Sequence, residues 1–260
     1  MAATLYTAAQ GSAVQLKVPN EPGTKSVQVT WKEKKVPAFR TDDVWTTLLG
    51  IDLDTKPGTH AAEALLTMEN GSVERREIAI NVAARKFPVT RLKVEPKFTQ
   101  LSKADSARAS RESKEVGAIY PRITTDLVPE EVFIVPIPGG SGRNFGERRV
   151  FNGQARAPHS GADLRAPTGT PVHSTNRGRV VLAKNLFFTG NTVIVDHGLG
   201  IYSLYAHLSR IDVKRGAVVK SNEIVGLAGA TGRVTGPHLH WAIRMQGARV
   251  DPFSLVNVGD

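Results

Sequence analysis

The sequence predicts an all-β protein with a short helical connector: an N-terminal immunoglobulin-like sandwich followed by a small antiparallel β domain with an open groove. Two observations carry the prediction. Apolar residues alternate with polar ones in short runs, the period of a strand with one buried face. Turn pairs such as Pro22-Gly23, Pro57-Gly58 and Asn70-Gly71 punctuate those runs.

Residues 1–86 hold the first group of strands. Val14, Leu16 and Val18 alternate, as do Val27, Val29 and Trp31, then Ala64, Leu66 and Met68, then Ile78, Ile80 and Val82. About seven short strands in so few residues suggest the sandwich. His60 is the sole histidine here and reads as an ordinary surface or strand residue.

Residues 87–127 read as a connector. The stretch from Lys97 to Val116 is rich in alanine, lysine and glutamate without a strong apolar stripe, which suits a solvent-exposed helix with Ser102 as its N-cap. The charged run from Arg111 to Glu115 reads as a solvated face.

Strands return over 128–260: Val132–Val135, Arg179–Ala183, Thr192–Val195, Ile201–Tyr205 and His240–Ile243. No long amphipathic helix interrupts them. The loop Gly139-Gly140-Ser141-Gly142 lacks the spacing and the Lys-Ser or Lys-Thr of a phosphate-binding loop, so nucleotide binding is discounted.

Composition narrows the chemistry. The 260 residues contain no cysteine, which excludes disulfide scaffolds, thiolate zinc sites and cysteine nucleophiles. A formal net charge of +10 favours polyanionic partners, of which the bacterial cell wall is one. Nucleic acid is disfavoured, because no helix-turn-helix, zinc finger or aromatic RNA-recognition motif is present. No run approaches the roughly 18 apolar residues of a membrane span. The opening Met1-Ala2-Ala3-Thr4-Leu5-Tyr6 lacks a basic segment leading into an apolar core, so it does not read as a signal peptide.

Six of the seven histidines lie between 159 and 240. His159 and Asp163 are four apart and His238 and His240 two apart, spacings that keep each pair on one face of an extended chain. A catalytic zinc takes three nitrogen or oxygen ligands and leaves a position for water, a requirement that two histidines and an aspartate meet. Gly229, Gly232 and Gly236 punctuate the approach to His238, which suits a tight turn.

Together with Tyr205-Ala206-His207-Leu208-Ser209, these motifs resemble the lysostaphin/LytM-type zinc metallopeptidases. The resemblance runs in order from about 133 to 256. It takes in Phe145-Gly146-Glu147-Arg148-Arg149, then His159-Ser160-Gly161-Ala162-Asp163-Leu164, then Ala166–Val172, Val195-Asp196-His197-Gly198, Thr231–His240 and Asp251-Pro252. It implies one zinc ion held by His159, Asp163 and His240, with His207 and His238 as catalytic histidines serving as base, acid or oxyanion stabiliser. It implies hydrolysis of peptide bonds in peptidoglycan, in stem peptides or bridges, and an exported protein of the periplasm or cell envelope whose leader has been removed.

The same resemblance gives His197 a structural, hydrogen-bonding role, and His173 reads as a non-ligand. Arg148 and Arg149 are candidates to hold a substrate carboxylate, with surface solvation the alternative. Asn144 lies near the groove with nothing in the sequence to give it a task. Relatives that have lost ligands act as non-catalytic activators of other wall hydrolases; here all five residues of the pattern are present. The N-terminal sandwich is expected to position the catalytic half or to occlude its groove.

Overall fold

The computed structural model describes residues 4–93, 101–130, 132–142, 144–155 and 157–258. The chain opens with eight strands: β1 (Thr4–Ala9), β2 (Ala13–Pro19), β3 (Thr24–Trp31), β4 (Lys34–Pro37), β5 (Phe39–Thr41), β6 (Val44–Gly50), β7 (Gly58–Met68) and β8 (Val73–Ala83). They form a five-stranded sheet, ordered β1-β8-β7-β3-β4, and a three-stranded sheet, β2-β6-β5. Only β1 on β8 is parallel in this pair of sheets. The alternation in β2, β3, β7 and β8 is the alternation of burial: Leu16, Val29, Ala64, Leu66 and Ile80 are fully enclosed. β6 differs. Six of its seven residues, from Trp45 to Gly50, are buried, because its second face is covered by the C-terminal half.

The connector is less solvated than its composition suggests. β9 (Val89–Leu92) joins β10 (Arg148–Phe151) in parallel, and β11 (Gln154–Ala155) completes that small sheet. The helix α1 spans Lys103–Gly117, with Ser102 as N-cap accepting from the Asp105 amide; the predicted start at Lys97 lies outside the described residues. The charged run from Arg111 to Glu115 is largely exposed, with Glu112 partly enclosed, and two of its acids bond across to the strand Gly178–Leu186 and the residue after it. Glu112 accepts from the Phe187 amide at 2.6 Å, and Glu115 from Lys184 at 2.8 Å.

The C-terminal half is built on a sheet ordered β12-β20-β16-β15-β14-β18, with β21 also on β20. In chain order these are β12 (Ala162–Arg165), β13 (Pro171–His173), β14 (Gly178–Leu186), β15 (Gly190–Asp196), β16 (Ile201–Leu208), β17 (Arg210–Ile211), β18 (Val218–Val219), β19 (Ile224–Leu227), β20 (His238–Met245) and β21 (Ala248–Val250). Every pairing within this sheet is antiparallel. β13, β19 and β17 form a smaller sheet, and the short helix α2 (Pro252–Val256) closes the chain with Asp251 as its N-cap.

One expected strand is absent. Val132–Val135 is irregular backbone, held by the Ile134 amide on the Thr175 carbonyl at 2.9 Å and by burial of Phe133. A short apolar run reads the same whether it enters a ladder or plugs a core.

The two halves share one apolar core running from Ala8 to Leu255. Gln246, buried at the β20–β21 turn, ties them: its amide nitrogen donates to the Leu48 and Leu199 carbonyls, and its oxygen accepts from the Gly50 amide at 3.1 Å. Arg249 adds charge-assisted bonds to Asp52 at 2.7 and 3.0 Å. Removing a partner from buried polar groups costs more than the bond itself contributes. Gln246→Ala is therefore expected to lower unfolding free energy by about 3 kcal/mol. Urea denaturation measures it, and an unchanged midpoint would refute the role. Among the described residues no helix is long and apolar enough to cross a membrane.

Candidate metal centre

The site is assembled on one face of the large sheet. In β20, His238, His240, Ala242 and Arg244 share a face by period two. Asp163 in β12 stands opposite His240, and Ala206 in β16 stands opposite it on the other side. His159 comes from the loop before β12, so its approach does not follow from strand alternation. Gly161 makes the approach feasible: a Cβ there would lie 2.4 Å from the Trp241 carbonyl oxygen and 2.9 Å from the His240 ring.

His207 should point away. Tyr205 pairs with Trp241 on the core face, and strict alternation would put residue 207 on that face as well. The register between β15 and β16 shifts here: Asn191 pairs with Leu208 but Val193 with Tyr205, so β16 carries one extra residue. His207 takes a positive φ of 64°, uncommon for a residue with a side chain. Such a bulge re-aims a side chain, and the imidazole turns back to the face of His240, 6.1 Å from it ring to ring and 4.8 Å from His238. The turn at Thr231-Gly232 supports it. Gly232 has φ +81°, and a Cβ there would meet the Gly190 backbone at 2.4 Å.

Three donor atoms converge. His159 Nε2, His240 Nδ1 and Asp163 Oδ1 form a triangle with edges of 3.1, 2.9 and 3.1 Å. Tetrahedral zinc with bonds of about 2.0–2.1 Å needs donor separations of about 3.3 Å, so the triangle is close to the size the ion requires. His159 Nδ1 lies 3.1 Å from the Asn144 carbonyl, which takes that ring's proton and leaves Nε2 as the lone pair facing the cluster. The donor chemistry therefore fits zinc: two imidazole nitrogens and one carboxylate oxygen.

The electrostatics agree. Burial pushes the Asp163 carboxyl up, but hydrogen bonds and charge from His159 and His240 outweigh it and hold the group well below the usual carboxylate range. Burial lowers His240, opposed by Asp163, and burial lowers His207 to about 4. Asp163 is therefore held as an anion beside the imidazoles of His207 and His240, whose basicity burial lowers, and such a centre attracts a cation. His207 Nδ1 bonds the Thr231 carbonyl and His238 Nδ1 the Gly236 carbonyl, each at 2.9 Å. Both Nε2 atoms are left for other partners, and His238 Nε2 stands 3.8 Å from Asp163 Oδ1. A cavity of about 350 Å³ opens over the five residues, with Arg149, Phe188 and Arg233 also in its wall.

The remaining residues singled out in the sequence lie elsewhere. His197 is fully buried, bonded to the Arg177 carbonyl and to Ser203 Oγ, each at 2.7 Å, and burial lowers it to about 4. His173 sits in β13, against the Pro136 carbonyl. His60 bonds the Lys56 carbonyl beside Trp31. Arg148 pairs with Asp54 at 2.9 Å, and Arg149 pairs with Glu147 while reaching the cavity.

Sequence reasoning left Asn144 without a task. Besides its carbonyl on His159, its side-chain nitrogen donates to Asp163 Oδ2 at 2.8 Å and its oxygen accepts the Asp163 amide at 3.0 Å. It orients two of the three donors. The connector supports this segment: Phe87 packs edge-on against Phe145, and Thr90 donates to Glu147 at 2.6 Å.

Residues 157–252 match the profile of "Peptidase family M23". The peptidoglycan DD-endopeptidase ShyA of Vibrio cholerae is 44% identical over 109 residues, 42% of this chain and 25% of that protein. The DD-carboxypeptidase/endopeptidase Mpg of Neisseria meningitidis is 41% identical over 97 residues, 37% of this chain and 22% of its own length. The chain thus matches about a quarter of the length of these curated relatives. A crystal structure from Pseudomonas aeruginosa, described as an M23 peptidase, superposes over 95% of this chain and 94% of its own, at 30% identity and a TM-score of 0.73.

Proposed function

This chain belongs to peptidase family M23, and from that premise we propose that it is a zinc-dependent endopeptidase hydrolysing peptide bonds of bacterial peptidoglycan, in stem-peptide cross-links or bridges, during cell-wall remodelling. The observation that carries the proposal is the triangle of His159 Nε2, Asp163 Oδ1 and His240 Nδ1, with no edge longer than 3.1 Å and two more imidazoles beside it. These three residues would hold the zinc.

When bound, the ion supplies Lewis acidity, polarising a carbonyl and making water a better nucleophile near neutral pH. The chain's residues supply the rest. Asp163 and His159 are locked in orientation by Asn144. His207 and His238, with their Nδ1 atoms on backbone carbonyls, present Nε2 to the cavity. One Nε2 takes a proton from the attacking water, and a proton passes to the departing amine as the C–N bond breaks. The imidazole on the other side stabilises the oxyanion by donating a hydrogen bond to it.

The proposed division of the chain is a sandwich over 1–86, a connector over 87–127 and the metallopeptidase domain over 128–260. We assign the first a positioning role. Among the described residues, none from 1–86 forms part of the cavity wall over the metal centre, which weighs against occlusion. The substrate class places the protein in the periplasm or cell envelope. Digestion of purified peptidoglycan by the zinc-loaded chain, followed by mass spectrometry of the muropeptides, tests the function. Loss of cross-linked dimers with matching new monomers is expected. An unchanged muropeptide profile under broad conditions overturns it.

A further inference from the structure

We infer that a cavity beneath α1, beside the metal centre, is a second subsite of the groove, built around Arg244 to receive a free carboxylate of the peptide substrate. The inference rests on the peptidase reading above. The cavity has a volume of about 340 Å³ and lies between α1 and the face of the sheet that carries the metal centre. It shares Phe188 and Thr189 with the cavity over the metal, so the two are neighbours along one groove.

Arg244 stands in its wall with an unpaired donor. Nη1 of its guanidinium is buried with no hydrogen-bond partner. An arginine keeps its charge under all ordinary conditions, and a buried donor left unpaired is costly. The neighbours do not balance it. Tyr120 lies 5.4 Å away, ring against guanidinium, but burial pushes its phenol up to about 12, so it stays neutral. Glu112 lines the same cavity but is already bound by the Phe187 amide and by Arg108 Nε. Asp52 is held by Arg249. The site offers one cation on an otherwise largely apolar floor that includes Val116 and Leu204. A carboxylate on a peptide strand matches that, since the planar guanidinium and the carboxylate form paired hydrogen bonds.

Position makes the inference specific. Arg244 and His240 share a face of β20 and are four residues apart, which is roughly 13 Å at the rise of a strand. The subsite therefore selects a carboxylate three to four extended residues from the bond being cut, on the α1 side.

The test uses the zinc-loaded full chain and two probes: cross-linked muropeptide dimers with their carboxylates free, and the same dimers with those carboxylates amidated. The unaltered protein is expected to show a KM about 10-fold lower for the free acid. Arg244→Gln should raise the KM for the acid about 10-fold while leaving that for the amide, and kcat for both, within twofold; Arg244→Lys should retain part of the discrimination. Zinc content and thermal unfolding show that each variant is folded and loaded. An equal effect of Arg244→Gln on both probes would mean that the arginine only packs against Tyr120, and overturns the inference. So does an unaltered protein that cleaves both probes alike, which leaves the peptidase reading standing and decides the matter even if the variants do not fold. Failure to cleave either probe removes both readings.

Discussion

His240→Ala should bind zinc no longer at one ion per chain and should lose measurable peptidase activity, with the two losses appearing together. Its Nδ1 is a corner of the donor triangle, 2.9 Å from Asp163 Oδ1 and 3.1 Å from His159 Nε2. Two donors cannot define the closed side of a tetrahedral site, and a catalytic zinc needs three protein ligands. The fold should persist, because the lost side chain faces the cavity while Leu239 and Trp241 on either side of it fill the core. Metal analysis after gel filtration, circular dichroism and muropeptide digestion measure the three quantities. Stoichiometric zinc in the variant would refute the ligand assignment; activity without zinc would refute the mechanism.

His207→Ala should behave differently. The ring stands 6.1 Å from His240 and holds no corner of the triangle. Zinc content should stay at one per chain, while kcat falls about 10²- to 10⁴-fold, the usual contribution of a general acid–base group. Turnover measured at saturating substrate, with metal analysis of the same sample, separates this variant from the first. Lost metal would promote His207 to a ligand, and unchanged kcat would leave proton transfer to His238 alone.

The spacings of His159 with Asp163 and of His238 with His240 marked a cluster of candidate ligands in the sequence, but only the resemblance to the lysostaphin type singled out His159, Asp163 and His240, the three that the structure brings together. The alternating strands were legible from spacing alone, one buried face each. What escaped lacked such a signal. β6 is covered on both faces, so Trp45 to Leu49 shows no period. Asn144 acts partly through its backbone carbonyl, which every residue owns. The bulge that turns His207 is a mismatch in pairing between β15 and β16, a property of two segments together. Arg244 matters through a partner it does not have. In the other direction, Val132–Val135 had the composition of a strand but enters no ladder, bonding Thr175 only at Ile134.

That single surplus residue in β16 carries a wider consequence. It leaves the interior of the sheet almost untouched, since Tyr205 and Leu208 remain enclosed on either side of it. Loss of that one position, His207 itself, would restore the regular ladder and remove the imidazole from the groove while Tyr205 and Leu208 kept their faces. Scaffold and chemistry are thus separable at this point. Descendants of such a fold could keep their shape, their packing and even their metal while falling silent, which is one physical route from hydrolase to inert wall-binding shell.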